Sequence, residues 1–324
     1  MLHIFEVTFP FFALVLCGYA VARGGLLPLD SIPGLNLFVL YIALPCMLFR
    51  FGAATPIARL LDPSIFATYL LCALAMVGLT LATTRRGPTG WNDASFGALV
   101  AAFPNSGFMG VPLLVGLLGE RAAGPAIVAL AVDMVITSSL CIALSRMAAS
   151  GGMGTNGSGR ATVNALKGIV VNPLPWAIGL GGVASASGIE LPAMLLKPVA
   201  MLADAASPVA LFTLGALLAR ARLQPPTTGT SSQRRSDVPL IVFYKLVVHP
   251  AMVLGIGRLA IAAGFPLDGF AATVLVLVAA LPSASNVPML AERFGADSGR
   301  IARIVLVSTV LAFVSFSAAV AILV

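Results

Sequence analysis

The sequence predicts an all-α polytopic membrane protein with ten transmembrane helices, arranged as two inverted five-helix repeats in which the fourth and ninth helices are broken. Three observations carry this prediction: the composition, ten long apolar runs, and residues repeated at one offset. Of the 324 residues, 59% are hydrophobic and 10% are charged, whereas a soluble domain has about 25% charged residues. So few charges could not cover a water-soluble surface, which excludes a cytoplasmic enzyme and a soluble binding module.

Ten apolar runs divide the chain, and each is close to the length that a transmembrane helix needs, about 20 residues. The runs are continuously apolar rather than alternating, which favours helices over the strands of a barrel. Ten spans leave no room for a separate soluble domain, so we expect one integral membrane domain. The runs fall at about 4–22, 33–53, 63–84, 94–118, 123–147, 164–187, 193–219, 239–263, 268–291 and 301–323.

The basic residues predict the orientation of the chain. The net charge is +7, and the Lys and Arg residues lie singly or in pairs between the apolar runs, which indicates loop charges rather than contacts to nucleic acid. The odd-numbered loops carry 13 of them and the even-numbered loops carry 5. Because short cytoplasmic loops retain Lys and Arg, both termini should be extracytoplasmic. We interpret Arg293, Arg300 and Arg303 as loop charges beside the cytoplasmic surface.

The sequence contains no pattern typical of a metal site, a cofactor site or a catalytic centre. The four cysteines lie alone in apolar runs, without a CxxC or a Cys/His spacing, so we expect neither zinc nor a disulfide framework. There is no HExxH and no GxSxG motif, so no catalytic residue is assigned. The cysteines are Cys17, Cys46, Cys72 and Cys141.

An internal repeat relates the two halves of the chain. Four residues of the second span recur in the seventh span at an offset of 163, and two residues of the first span recur in the sixth at the same offset. Five helices per half is an odd number, so the second half must be inverted relative to the first. We expect repeats at 1–147 and 164–324, joined by a cytoplasmic linker at 148–163. The pairs are Pro45/Pro208, Leu48/Leu211, Phe49/Phe212, Gly52/Gly215, Pro10/Pro173 and Gly18/Gly181.

The fourth and ninth spans each contain two prolines that bracket Asn and Ser residues near mid-span. Proline lacks an N–H and clashes with the preceding turn, so these segments should interrupt their helices. The freed backbone groups cannot face lipid, and the N-terminus of the following half-helix suits an anion. The alternative is a pair of structural kinks in which Asn and Ser join neighbouring helices. The predicted substrate-binding residues are Asn105, Ser106, Gly107, Gly110, Pro112, Ser283, Ser285, Asn286 and Pro288.

Four ionisable residues inside the spans are candidates for recognition of substrate charge or for coupling to H⁺ or Na⁺: Asp133, Asp204, Lys245 and His249. Charges within the bilayer are costly and usually functional. Lys245 and His249 are four residues apart, which places both on one helix face. In the alternative reading, Asp204 and Lys245 form a structural pair, or Lys245 extends to the cytoplasmic interface.

Several motifs resemble those of the auxin efflux carrier family. They are LNLFVLYIALP at 35–45, PNSGFMGVPLL at 104–114, PVALFTLG at 208–215, KLVVHP at 245–250 and LPSASNVP at 281–288. The resemblance implies two inverted five-helix repeats whose fourth and ninth helices cross at the substrate site, a fold similar to that of sodium–proton antiporters and bile-acid symporters. It also implies that Asn105 helps to hold a carboxylate and that Pro112 and Pro288 mark the crossover.

The resemblance implies a secondary carrier of a small organic acid anion, such as malonate or malate, in a bacterial inner membrane. The loop between the fifth and sixth spans is short where plant members have a long regulatory loop, so we do not expect auxin as the substrate. A passive anion channel and an intramembrane enzyme are the alternatives. The expected partners are the anion, a coupling H⁺ or Na⁺ and the lipid bilayer. The oligomeric state stays open, with a homodimer among the assemblies considered.

Overall fold

A computed structural model describes residues 2–54, 62–85, 90–149, 173–188, 192–223 and 237–324. Within these ranges the chain is helical and forms no β-strand, and an isolated β-bridge joins Pro104 to Ser283. The predicted linker lies outside the described residues from position 150 onwards. The helices are α1 Leu2–Arg23, α2 Leu29–Ala54, α3 Pro63–Thr84, α4 Trp91–Ala102, α5 Ser106–Leu118, α6 Glu120–Arg146, α7 Pro173–Ser187, α8 Ala193–Leu223, α9 Val238–Ala262, α10 Gly269–Ala280, α11 Val287–Arg293 and α12 Ser298–Leu323.

In the described part of the chain, six helices are long and apolar enough to cross a bilayer: α2, α3, α6, α8, α9 and α12. Three apolar helical segments are shorter, namely Phe9–Arg23 of α1, α5 and α10. Helices α5 and α10 lie where the fourth and ninth spans are predicted, and both are short because those spans are interrupted. The described part of the chain is therefore all-helical, and its long apolar helices are consistent with a multi-pass membrane protein.

The two interruptions predicted from the prolines are present. Helix α4 ends at Ala102 before Pro104, and α10 ends at Ala280 before Pro282. The second proline of the ninth span, Pro288, lies in the first turn of α11, where a missing N–H costs no intrahelical bond. Pro112 instead follows the π-helical turn Ser106–Gly110 inside α5. The chemistry of proline therefore explains where α4 and α10 stop and where α11 can begin.

The chain forms two compact units, each built from three separate segments. Among the described residues, unit 1 contains α1, α2, α5, α7 and α8, and unit 2 contains α3 from Ser64 onwards, α4, α9, α10, α11 and α12. Helix α6 is divided after Val128. Each unit therefore combines helices from both predicted repeats.

Unit 1 contains two close helix contacts, and each depends on two glycines. Where α1 meets α8, a Cβ at Gly18 would overlap the carbonyl oxygen of Phe212, and one at Gly215 would overlap that of Val15. Because glycine lacks a Cβ, the two backbones can touch directly, as is common for small residues between membrane helices.

The second close contact joins α2 and α7. A Cβ at Gly181 would overlap the carbonyl oxygen of Phe49, and one at Gly52 would approach that of Ile178 to 2.8 Å. Neither side can accept even a methyl group without a backbone shift. The four helices of unit 1 that carry these glycines are thus held at their minimum separation.

In unit 2, Arg300 joins the amino ends of α4, α9 and α12. Its guanidinium donates to both carboxylate oxygens of Asp237 and to the carbonyl oxygen of Asp93, and its side chain is 10% exposed. The interpretation of Arg300 as a loop charge was therefore wrong, because a charge near a span end looks the same in sequence whether it faces solvent or neighbouring helices. Arg293 and Arg303 are exposed.

Candidate functional site

The two interrupted segments meet in unit 2, where their non-helical backbones pair. The N–H of Asn105 donates to the carbonyl oxygen of Pro282 at 2.8 Å, and the N–H of Ala284 donates to the carbonyl oxygen of Phe103 at 3.0 Å. Pro104 and Ser283 face each other between these bonds in an antiparallel bridge. Each interrupted segment thus provides hydrogen-bond partners for backbone groups that the other segment no longer bonds within a helix. Backbone within a membrane needs such partners because lipid offers none.

Two buried polar side chains at this junction have atoms without a hydrogen-bond partner among the described residues. They are Nδ2 of Asn105 and Oγ of Ser283, and both residues are at most 2% exposed. An unpaired buried polar group costs about 1–3 kcal/mol, so such groups usually have a partner. An amide N–H and a hydroxyl are suitable donors to a carboxylate oxygen. The junction therefore has the chemistry of an anion site.

The other residues of the predicted site are divided between the two units. In unit 1, Ser106, Gly107 and Gly110 are buried in a π-helical turn at the start of α5, and Pro112 follows at half-burial. In unit 2, Ser285 and Asn286 are half-buried in the turn before α11, and Pro288 is buried in its first turn. Ser207 of α8 donates to the carbonyl oxygen of Phe108 at 3.0 Å, which anchors the π-helical turn within unit 1.

A second polar cluster in unit 2 contains three of the four predicted ionisable residues. Nζ of Lys245 lies 3.0 Å from Nδ1 of His249 and donates to the carbonyl oxygen of Ala279, also at 3.0 Å. Both side chains are fully buried, so Lys245 does not extend to an interface. Ala279 lies in the last turn of α10, where the carbonyl end of the helix dipole favours a cation.

Asp133 of α6 completes the cluster and is also fully buried. Tyr69 of α3 donates to its Oδ2 at 2.8 Å, and Thr137 donates to its Oδ1 at 3.1 Å. The carboxylate interacts electrostatically with Lys245, and the ring of Tyr69 lies 6.4 Å from that of His249. Three long helices thus bring a carboxylate and an ammonium group together at the core of unit 2.

Asp133 and Lys245 share one backbone feature, since each lies in a π-helical turn. These turns span Asp133–Thr137 and Tyr244–Val248. Such turns widen a helix locally and are frequent at functional sites. Sequence analysis did not identify Tyr69 or Thr137 as partners of Asp133. The only available signal was a hydroxyl on an otherwise apolar span, which is common in membrane helices.

The fourth ionisable candidate, Asp204, lies in unit 1 and forms an ion pair with Arg50 of α2. The side chains of Arg50 and Asp204 are 41% and 70% exposed, in contrast to the buried cluster. The reading in which Asp204 pairs with Lys245 is thus not the arrangement found. Arg50 was missed as a partner because it was counted among the loop charges, although it lies inside the second apolar run.

The whole chain can be compared with known proteins. A family model described as membrane transport protein matches residues 3–320. A "Putative malonate transporter" of Rhizobium meliloti is 31% identical over 317 residues, which cover 96% of this chain and 93% of that protein. An "Uncharacterized transporter" of Methanothermobacter thermautotrophicus is 28% identical over 96% of this chain and 95% of that protein. The "Uncharacterized transporter YfdV" of Escherichia coli K12 is 25% identical over 88% of this chain and 86% of that protein.

These matches confirm the resemblance that the motifs indicated. The family model covers almost every described helix, and the Rhizobium relative aligns over nearly its own full length. The chain therefore belongs to the membrane transport protein family, the family of the auxin efflux carriers.

Proposed function

We propose that the protein is a secondary active transporter of a small organic acid anion, a carboxylate resembling malonate or malate. The observation that carries this proposal is the junction of the two interrupted segments. It places an amide nitrogen and a hydroxyl, neither with a hydrogen-bond partner among the described residues, beside backbone that has left the helix. Broken helices near mid-membrane are the usual substrate sites of secondary transporters. The name of the Rhizobium relative supports malonate as the first substrate to test.

In this proposal the carboxylate binds at the predicted site residues and the protein alternates access around them. Asn105 provides the amide N–H, Ser283 provides a hydroxyl, and Ser106, Ser285 and Asn286 provide further polar groups. Gly107 and Gly110 let the substrate approach the backbone, while Pro112 and Pro288 maintain the breaks. These donors are uncharged, so they can bind a carboxylate and release it again without separating a buried ion pair.

We also propose ten spans in two inverted repeats at 1–147 and 164–324, with the fourth and ninth spans crossing at the substrate site. The glycine contacts of unit 1 support this arrangement. The offset of 163 relates Gly18 to Gly181 and Phe49 to Phe212. The contact between Gly18 and Phe212 therefore corresponds to the contact between Gly181 and Phe49, with the two repeats exchanged. The contact between Val15 and Gly215 becomes that between Ile178 and Gly52 in the same way. A pseudo-two-fold axis relating the repeats would produce such exchanged contacts.

For ion coupling, we propose the buried cluster of Asp133, Lys245 and His249, with H⁺ or Na⁺ as the coupling ion. A carboxylate and an ammonium group that share one dry environment can change their joint charge when a cation binds or leaves. The π-helical turns around Asp133 and Lys245 support a functional reading, because regular helices would suffice for packing alone. A purely structural ion pair is the competing explanation, and the double variant described in the Discussion separates the two.

The decisive experiment is uptake of labelled malonate and malate into proteoliposomes, with pH and sodium gradients varied separately. We expect saturable uptake driven by one gradient and accelerated by unlabelled substrate on the opposite side. A passive channel would show neither this acceleration nor gradient-driven accumulation. Product formation without net transport would instead indicate an intramembrane enzyme. Absence of movement for every carboxylate under every gradient would contradict the proposal.

The Asn105→Ala variant tests the site itself. Loss of one hydrogen bond to a charged group should weaken binding by about 1.5–3 kcal/mol, which corresponds to about a 10- to 100-fold increase in KM. Asn92→Ala is a matched control, since Asn92 in the first turn of α4 donates to the carbonyl oxygen of Phe294, which follows α11. An unchanged KM in Asn105→Ala, with normal folding, would remove Asn105 from the site.

A further inference from the structure

The ion pair between Arg50 and Asp204 occupies an unusual place in unit 1. Both residues lie inside apolar helices that are long enough to span a membrane, yet both side chains are substantially exposed. Asp204 is eleven residues from Ala193, which places it about 16 Å along α8 at a rise of 1.5 Å per residue. Its partner Arg50 lies four residues before the end of α2 at Ala54, so the pair lies within both apolar helices, about one turn from the end of α2.

An exposed carboxylate at this depth is incompatible with a hydrocarbon environment. Charged side chains within transmembrane segments face the protein interior or a water-filled cavity, because transfer into lipid is strongly unfavourable. Asp204 is 70% exposed, so protein atoms do not enclose it. The surface of unit 1 that carries the pair is therefore lined by water.

A hydrogen bond on the same face of α8 connects this surface to the interrupted fourth span. Ser207 follows Asp204 by three residues, so the two side chains are neighbours on the helix. Ser207 donates to the carbonyl oxygen of Phe108 in the π-helical turn at the start of α5. The ion pair is thus one helical turn away from the contact between α8 and the segment that follows the break.

Among the described residues, the ion pair with Asp204 leaves much of the Arg50 guanidinium available for further hydrogen bonds. The contact joins one nitrogen of Arg50, Nη1, to one oxygen of Asp204, Oδ1. A guanidinium has five N–H donors arranged to bind carboxylates through two parallel hydrogen bonds. Exposed ion pairs are also weak, because water and salt screen them. A second carboxylate could therefore bind Arg50 and displace Asp204.

We propose that Arg50 is an anion-binding residue on the aqueous path of the substrate, and that Asp204 is its displaceable counter-ion. This inference rests on the proposed function, since the anion is the transported carboxylate. An incoming carboxylate exchanges with Asp204 on the guanidinium. Asp204 keeps the surface neutral when no anion is present, and it competes with every anion that arrives.

The first test compares malonate transport by single variants in proteoliposomes. Arg50→Gln should raise KM at least tenfold, and Arg50→Lys should raise it less. Asp204→Asn removes the competitor and should lower KM about threefold. Lys197→Gln, an exposed cation on α8, is the matched control and should leave KM unchanged. If Arg50→Gln and Asp204→Asn change KM in the same direction, the pair is structural and the inference is wrong.

The second test does not depend on the substrate. Arg50→Cys is labelled in proteoliposomes with charged thiosulfonate reagents, in a Cys17→Ser/Cys46→Ser background because Cys17 is exposed and Cys46 is only partly buried. With Asp204 present, the cationic reagent should react faster than the anionic one. Adding Asp204→Asn should abolish this preference, because neither charge of the pair then remains. No labelling by either reagent would place the pair outside an aqueous path and overturn the inference.

The two tests separate the inference from the proposed function. If the wild type transports no carboxylate, the proposed function fails, and the labelling rates still decide whether anions reach Arg50. If the wild type transports malonate and Arg50→Gln has a normal KM, the function stands and the inference fails.

Discussion

At the scale of single residues, the burial of Asp133 and Lys245 has a large energetic consequence. Removing a charge from water is costly, and only a partner charge with good hydrogen bonds compensates for it. Asp133 accepts bonds from Tyr69 and Thr137, while Lys245 is held by His249 and the carbonyl oxygen of Ala279. Each charge thus depends on the other and on groups from neighbouring helices.

We predict that Lys245→Met destabilises the protein, because it leaves Asp133 as an uncompensated buried charge. The expected loss is about 3–5 kcal/mol, and the double variant Asp133→Asn/Lys245→Met should recover most of it. Thermal unfolding in detergent measures both effects, with Lys197→Met as an exposed-lysine control. A single variant as stable as the wild type would show that the two charges do not depend on each other.

The same double variant separates coupling from structure. If the cluster couples transport to an ion gradient, the stable double variant should still exchange substrate across the membrane. It should no longer accumulate substrate in response to a pH or sodium gradient. If the cluster is only structural, gradient-driven accumulation should persist.

At the scale of helices, the close contacts of unit 1 depend on the absence of single methyl groups. Helices α2 and α7 meet where Gly181 faces the backbone of Phe49, and α1 and α8 meet in the same way at Gly18 and Phe212. Membrane helices gain little from hydrophobic burial against one another, so close packing of small residues provides much of the attraction. The glycines therefore determine how closely these helices pack.

We predict that Gly181→Ala destabilises unit 1 by several kcal/mol, because the new methyl group must displace the backbone of α2. Gly179→Ala on the same helix is the matched control, since no atom lies within 4 Å of a Cβ built there. Its effect should be neutral or slightly stabilising, because alanine favours helix formation. Thermal unfolding in detergent compares the two, and equal stability of both variants would show that α2 and α7 can separate at little cost.

At the scale of the whole molecule, the chain is divided into two units that do not follow the order of the sequence. Unit 1 takes α1, α2 and α5 from the first predicted repeat and α7 and α8 from the second. The polar features described above are divided between the units. The exposed ion pair lies in unit 1, and the buried cluster and the backbone junction lie in unit 2.

The proposed topology predicts that both termini are extracytoplasmic, because the odd-numbered loops retain most of the Lys and Arg residues. Alkaline phosphatase fused after Val324 should be active in a bacterial host, since this enzyme folds only outside the cytoplasm. The same reporter fused within the predicted linker 148–163 should be inactive. An active linker fusion together with an inactive terminal fusion would invert the proposed orientation.

The sequence by itself determined the class of the protein, the approximate positions of the six long apolar helices and the two interruptions. These properties follow from composition, from the length of apolar runs and from the backbone chemistry of proline, all of which act locally. It also identified Asp133, Lys245 and His249 as unusual, because a charge inside an apolar run is costly wherever it points. The resemblance to the family rested on local motifs as well, and the comparisons agree with it.

Only the tertiary structure decided which of these residues meet. It paired Asp204 with Arg50, surrounded Asp133 with Tyr69 and Thr137, and made Arg300 a buried connection between three helix ends. It also placed Asn105 beside Pro282 and Ser283, far away in the sequence. Such contacts depend on how helices distant in the chain pack against each other, and helix packing is set by the shape of whole surfaces rather than by any local pattern.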